Sequence, residues 1–160
     1  MKHAFQVMIQ RSGFKLLRLY WLIFKPVTLG VKILCINNRR EVLLVKHSYV
    51  SGWHLPGGGV DRGESTRQCA ARELFEECGV ICSPSLLSMQ GVFHNNSEYK
   101  NDHVVLYRLD GDFSIDNWSP NGEILECKYF PASNLPDGVS AATVRRVDEV
   151  LGNAQISSEW

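Results

Sequence analysis

The stretch GGVDRGESTRQCAARELFEECGV, Gly58 to Val80, constrains this chain more than any other. Ser65 followed by Gln68 is a capping box, and Gly79 is a natural residue to end a helix in the left-handed conformation, so the spacing predicts a helix over about Thr66 to Cys78. On that helix Glu73, Glu76 and Glu77 stand at i, i+3 and i+4 and share one face, with Arg72 one turn before Glu76. Ala70, Ala71, Leu74 and Phe75 supply the packing positions. Three carboxylates on one face repel one another, and an ordinary solvated helix gains more from partners of opposite sign. A hard divalent cation such as Mg²⁺ or Mn²⁺ removes that repulsion, because it takes oxygen ligands and shares them with substrate phosphates.

The same residues fill a known pattern. Gly58, Glu64, Arg72, Glu73, Leu74, Glu76, Glu77, Gly79 and Val80 occupy every fixed position of the signature of the Nudix hydrolases, and this segment resembles that family without a departure. Chance filling of the pattern is on the order of 10⁻⁷ for a chain of this length. The resemblance implies an α/β fold, the Nudix α/β/α sandwich with a mixed sheet, extending from about Thr28 to Leu151. It also implies a metal held by Glu73, Glu76, Glu77 and the Gly58 carbonyl, with Glu64 and Arg72 positioning loop and helix.

With 160 residues, 44% apolar and 21% charged, the chain has one domain's worth of core. Five cysteines without a CxxC pair indicate neither a disulfide framework nor a zinc site, and point to reduced thiols in a cytoplasmic protein. The zero net charge hides an asymmetry, since residues 1–40 carry eight basic side chains and no acid, while the other 120 carry nine basic and seventeen acidic ones. An acidic body argues against strong nonspecific nucleic-acid binding.

Residues 1–27 read as a basic amphipathic helix and linker, with the helix over Ser12 to Phe24 and Pro26 beyond its end. The run Leu19 to Phe24 is too short to span a bilayer. Packing on its own domain, a homodimer contact and a peripheral membrane contact through residues 12–25 are the readings open to it, and its lack of acids resembles a mitochondrial presequence.

Residues 28–152 form the predicted catalytic domain. Strands are expected over Thr28 to Ile36, Glu41 to Lys46, Leu86 to Phe93, Val104 to Leu109 and Ile124 to Phe130, with a helical turn over Pro131 to Leu135 and a last helix over Ala141 to Leu151 capped by Ser140. Pro56-Gly57-Gly58-Gly59 reads as a turn where backbone approaches a ligand, and residues 153–160 as a frayed tail.

The predicted reaction is metal-dependent hydrolysis of the phosphoanhydride of a small nucleoside diphosphate derivative, catalysed by Glu73, Glu76, Glu77, Arg72 and Glu123. Several relatives carry a carboxylate at the place of Glu123 on a loop facing the metal helix, and the resemblance implies a residue there that binds a further ion or takes the proton from the attacking water; Glu98 and Asp102 compete for that role. Trp53 and Tyr99 are candidates for base stacking, and Arg62 and Lys46 for phosphate contacts. ADP-ribose-cleaving relatives carry a proline where this chain has Asn96, which weighs against that substrate. The alternative is a Nudix-fold module that senses a nucleotide without cleaving it, usually marked by a lost metal carboxylate, and none is lost here.

Overall fold

The computed structural model describes residues 27–95 and 102–160. The N-terminal helix expected over Ser12 to Phe24, and Asn96, Glu98 and Tyr99 of the long loop, lie outside the described residues.

Five strands build one sheet: β1 Thr28–Ile36, β2 Glu41–His47, β3 Ser88–Asn95, β4 Asp102–Asp110 and β5 Ile124–Pro131. Their order is β3-β4-β1-β2-β5, with β1 and β4 parallel and the other neighbours antiparallel. Helix α1, Thr66–Cys78, covers one face and helix α2, Ala141–Val150, the other. Strand alternation divides the core. Val31, Ile33, Cys35, Leu43, Val45, Val105, Tyr107 and Leu109 pack toward Cys69, Ala70, Leu74 and Cys78 of α1. Leu34, Ile36, Val42, Leu44, Leu106 and Phe93 pack toward Val147 of α2. The architecture is the predicted mixed sheet between helices.

Helix α1 begins and ends where its caps demand. The Gln68 amide donates to Ser65 Oγ and the Ser65 amide to Gln68 Oε1, while Gly79, at φ 70°, and Val80 donate to the carbonyls of Phe75 and Leu74.

β1 and β2 pair only at Ile36 and Val42 and then diverge. Residues 54–60 fill the gap as an inserted ribbon. Val31 and Ile33 donate to the carbonyls of Gly58 and Pro56, His54 and Val45 exchange two hydrogen bonds, and the Val60 amide reaches Leu29. The glycine cluster thus serves strand contact first. At Gly57, φ 136°, a side chain would collide with the backbone of Val31.

Three expectations are corrected. Ser83-Pro84-Ser85 starts a 3₁₀ turn over Pro84–Leu86, so β3 begins at Ser88 instead of Leu86. After Pro131 the chain makes a β-turn closed by the Asn134 amide on the Pro131 carbonyl, with no helical turn. The tail is docked where fraying was expected. His94 and Trp160 bond to the Ser158 and His94 carbonyls, extending the sheet at the end of β3. Arg146, fully buried, pairs with Glu149 at 2.9 Å, donates to the carbonyls of Ser157 and Glu159, and lies 4.1 Å from the Phe93 ring centre. The tail is held because it supplies acceptors to a buried cation.

Candidate active site

The carboxylates of α1 form two groups. Arg72 is the centre of the first. Its guanidinium donates to Glu64 at 2.7 and 3.2 Å, to Glu73 at 2.7 Å, to Glu76 at 3.0 Å and to the Gly59 carbonyl at 3.2 Å. One guanidinium therefore offsets three carboxylates, and a fourth, Asp61, approaches to 3.7 Å. Hydrogen bonds from Arg72 hold the Glu64 carboxyl down to about 2, while Glu64 raises the pKa of Arg72 above its ordinary value. Burial raises Glu73 despite its bond to Arg72.

Glu77 stands apart, with no bond from Arg72. Its Oε2 accepts the Gly57 amide at 2.8 Å, which ties the helix to the inserted ribbon. The Lys32 ammonium fixes the same ribbon from below through the carbonyls of Leu55 at 2.9 Å and Gly57 at 2.7 Å. Burial lifts the Glu77 carboxyl to about 7, against the opposing charge of Lys32 and the Gly57 amide.

Near Glu77 lie His47 and Tyr49, which the sequence reading passed over, and Glu123, which it named. His47 Nε2 is 3.8 Å from Glu77 Oε1. Burial, helped by Lys32 and His54, lowers His47 to about 4, so this approach is no ion pair at neutral pH. Glu123 Oε1 accepts the Tyr49 hydroxyl at 2.8 Å, and partial desolvation of that hydroxyl together with the carboxylate raises it above its ordinary value, although the residue as a whole is exposed. A bulge makes the grouping. Lys46 pairs with Glu126 but His47 pairs with Ile124, leaving Leu125 over, and this brings Glu123 beside the end of β2. The signal was available in β2, where Leu43, Val45 and His47 alternate onto the α1 side, but nothing in the sequence pairs them with residue 123.

Gly58 carries Glu73 against it and gives its carbonyl to Val31, which leaves one of the two oxygen lone pairs for another partner. Oxygen donors such as those of Glu73, Glu76, Glu77 and Gly58 are the kind a hard divalent cation takes, but Arg72 engages Glu73 and Glu76 here, and Glu77 stands with His47 and Glu123.

The remaining candidates fall elsewhere. Trp53 is 8% exposed and packs edge-on to Phe130 at 4.8 Å in the cluster on the α2 side, so it is a core residue and not an open stacking platform. It is buried because the ribbon enters the sheet there and turns its indole away from α1. Lys46 is bonded to Glu126 at 3.2 Å, and Arg62 is exposed with no ion pair among the described residues. Asp102 accepts the Thr28 hydroxyl at 2.6 Å. A cavity of about 370 Å³ lined by Leu135, Asp137, Val139, Val144 and Asp148 holds none of the carboxylates of α1, and chemistry marks this site where concavity does not.

The family description NUDIX domain matches residues 26–149. A Bacillus subtilis (strain 168) protein provisionally named an 8-oxo-dGTP diphosphatase is 28% identical over 128 residues, covering 80% of this chain and 83% of its own. Human diphosphoinositol polyphosphate phosphohydrolase 3-beta is 35% identical over 94 residues, covering 57% of this chain and 56% of its own. The crystal structure of a MutT NUDIX hydrolase from Burkholderia pseudomallei superposes with a TM-score of 0.63 at 22% identity, over 78% of this chain and 98% of that one, which is a likeness of fold.

Proposed function

The chain belongs to the Nudix family and is a Nudix pyrophosphohydrolase, and from that premise we propose that it hydrolyses the phosphoanhydride of a small nucleotide, a nucleoside diphosphate linked to another group X, with Mg²⁺ as cofactor and Mn²⁺ as its substitute. The observation that supports this reading is the complete carboxylate set of α1, with Glu73 and Glu76 gathered by Arg72 and Glu77 held separately by the Gly57 amide. Two unit charges about 4 Å apart interact by roughly 4 kcal/mol at an effective dielectric of 20, so carboxylates alone repel a diphosphate. Glu73, Glu76, Glu77 and the Gly58 carbonyl would hold the cation, which when bound neutralises phosphate charge and makes water more acidic.

The chain's own residues do the rest. Arg72 keeps Glu64, Glu73 and Glu76 within one hydrogen-bond radius. Lys32 and the Gly57 amide fix the ribbon and aim Glu77. Glu123, exposed and bonded by the Tyr49 hydroxyl, is the residue we assign to take the proton of the attacking water. Arg62, exposed on the loop before Glu64, meets a substrate phosphate, and Tyr99 stacks on the base; Lys46, bonded to Glu126 and beside Trp53 on the α2 side, is left out of the proposed site.

No helix among the described residues is long and apolar enough to cross a membrane; five free cysteines are what we take to favour a cytoplasmic setting. Residues 12–25 lie outside the stretch of family similarity and serve a homodimer or a membrane surface; deleting residues 1–24 and measuring oligomeric state and liposome association tests that assignment. The activity itself is tested by a panel of nucleoside diphosphate derivatives with Mg²⁺, with chelator, and with Glu76→Gln. Product that forms equally in all three conditions overturns the reading.

A further inference from the structure

His47, Glu77 and Glu123 come together from three parts of the chain. One ligand atom from each lies within 4.8 Å of the others. Ligands of a single ion at about 2.1 Å stand roughly 3 to 4.2 Å apart, so the 3.8 Å between His47 Nε2 and Glu77 Oε1 already suits a shared cation.

The imidazole is the unusual member. Its side chain is 7% exposed, Nδ1 has no hydrogen-bond partner among the described residues, and Nε2 stands too far from Glu77 for a hydrogen bond. Nε2 is the nitrogen turned toward Glu77, and with the ring proton on Nδ1 it carries a lone pair that can bind a cation. Both carboxylates, by contrast, are aimed by donors behind them, Glu77 by the Gly57 amide and Glu123 by the Tyr49 hydroxyl. Such outer donors are what orient metal ligands.

We propose that His47 is a nitrogen ligand, completing with Glu77 and Glu123 a mixed nitrogen and oxygen site for a divalent cation beside the Arg72 cluster. The inference rests on the metal-dependent reading above, because Glu77 belongs to both groups. Imidazole favours Mn²⁺, Co²⁺ and Zn²⁺ over Mg²⁺, so this site selects the later metals where the oxygen ligands of α1 do not. His47 is thereby a determinant of which metal the enzyme uses.

The test uses the full chain loaded with Mn²⁺ alone and pulsed electron paramagnetic resonance, which detects a nitrogen nucleus bonded to the ion. The expected result is an imidazole nitrogen coupling in the native protein and in His54→Gln, lost in His47→Gln, with Mn²⁺ affinity falling at least tenfold in His47→Gln and Mg²⁺ affinity staying within about threefold. Circular dichroism checks that His47→Gln is folded, and the native spectrum decides the matter even where it is not. Bound Mn²⁺ without nitrogen coupling in the native protein overturns the proposal alone, as does coupling that survives in folded His47→Gln. Failure of Mn²⁺ to bind at all overturns the metal-dependent reading with it.

Discussion

The carboxylate of Glu73 lies directly against the α-carbon of Gly58, where an added methyl group would stand 2.5 Å from Oε1 and 2.7 Å from Oε2. The glycine of the signature is thus required by its own glutamate fifteen positions later, and the ribbon and helix approach as closely as they do because no side chain intervenes.

Gly58→Ala tests this relationship. Gly58 is not among the residues with positive φ, so the backbone tolerates alanine, and the strain falls on the movable carboxylate. The expected outcome is a folded protein with a melting temperature within a few degrees of native and kcat/KM lowered at least about tenfold, with a raised half-saturating metal concentration. Unchanged metal dependence would show that Glu73 does not need its present position.

Glu77 makes stability depend on pH in a defined direction. With its carboxyl lifted from 4.5 to about 7, the folded state holds more protons than the unfolded one between those values, so its contribution falls as pH rises through that window. His47, lowered from 6.5 to about 4, acts oppositely between pH 4 and 6.5. Comparing Glu77→Gln with native protein in chelator isolates the first effect. Denaturant titrations should show the variant gaining on the native protein by about 2–3 kcal/mol from pH 4.5 to pH 8. Saturating Mn²⁺ should cancel that gain, since a cation favours the ionised carboxylate.

Glu123→Gln is expected to lower kcat by at least about 100-fold with KM little changed, as general-base assistance is typically worth 10²–10⁴-fold. Tyr49→Phe removes only the hydrogen bond that aims this carboxylate, and a loss of about three- to tenfold is expected. A loss below about threefold in Glu123→Gln, beside a large one in Glu98→Gln, moves the role to the loop before β4.

The tail and Arg146 stabilise one another. Removing residues 157–160 takes away the carbonyls that Arg146 bonds and the indole beside it, leaving a buried cation with Glu149 alone. Urea denaturation should show a loss of about 1.5–3 kcal/mol, as for hydrogen bonds to a charged group left unmade. Replacing Arg146 and Glu149 together by apolar residues in the truncated chain should recover part of it, because both buried charges are then gone.

The sequence by itself determined helix α1, its two caps and the common face of Glu73, Glu76 and Glu77, since these depend on spacing within thirteen residues and on local hydrogen bonds. It also determined β1 and β2 nearly to the residue, because alternation and a turn bound them. Tertiary structure alone decided the rest. Insertion of residues 54–60 between β1 and β2 depends on hydrogen bonds to strands distant in the chain, and it is this insertion that buries Trp53 and brings the Gly57 amide to Glu77. The grouping of His47 with Glu123 depends on a one-residue bulge between β2 and β5, across a sequence separation of more than seventy positions that no periodicity encodes. The docked tail depends on Arg146, whose buried charge has no signal in sequence beyond an arginine on an amphipathic helix. Local rules act through the backbone and are readable in order; packing joins residues by proximity in space, and only the folded chain sets that.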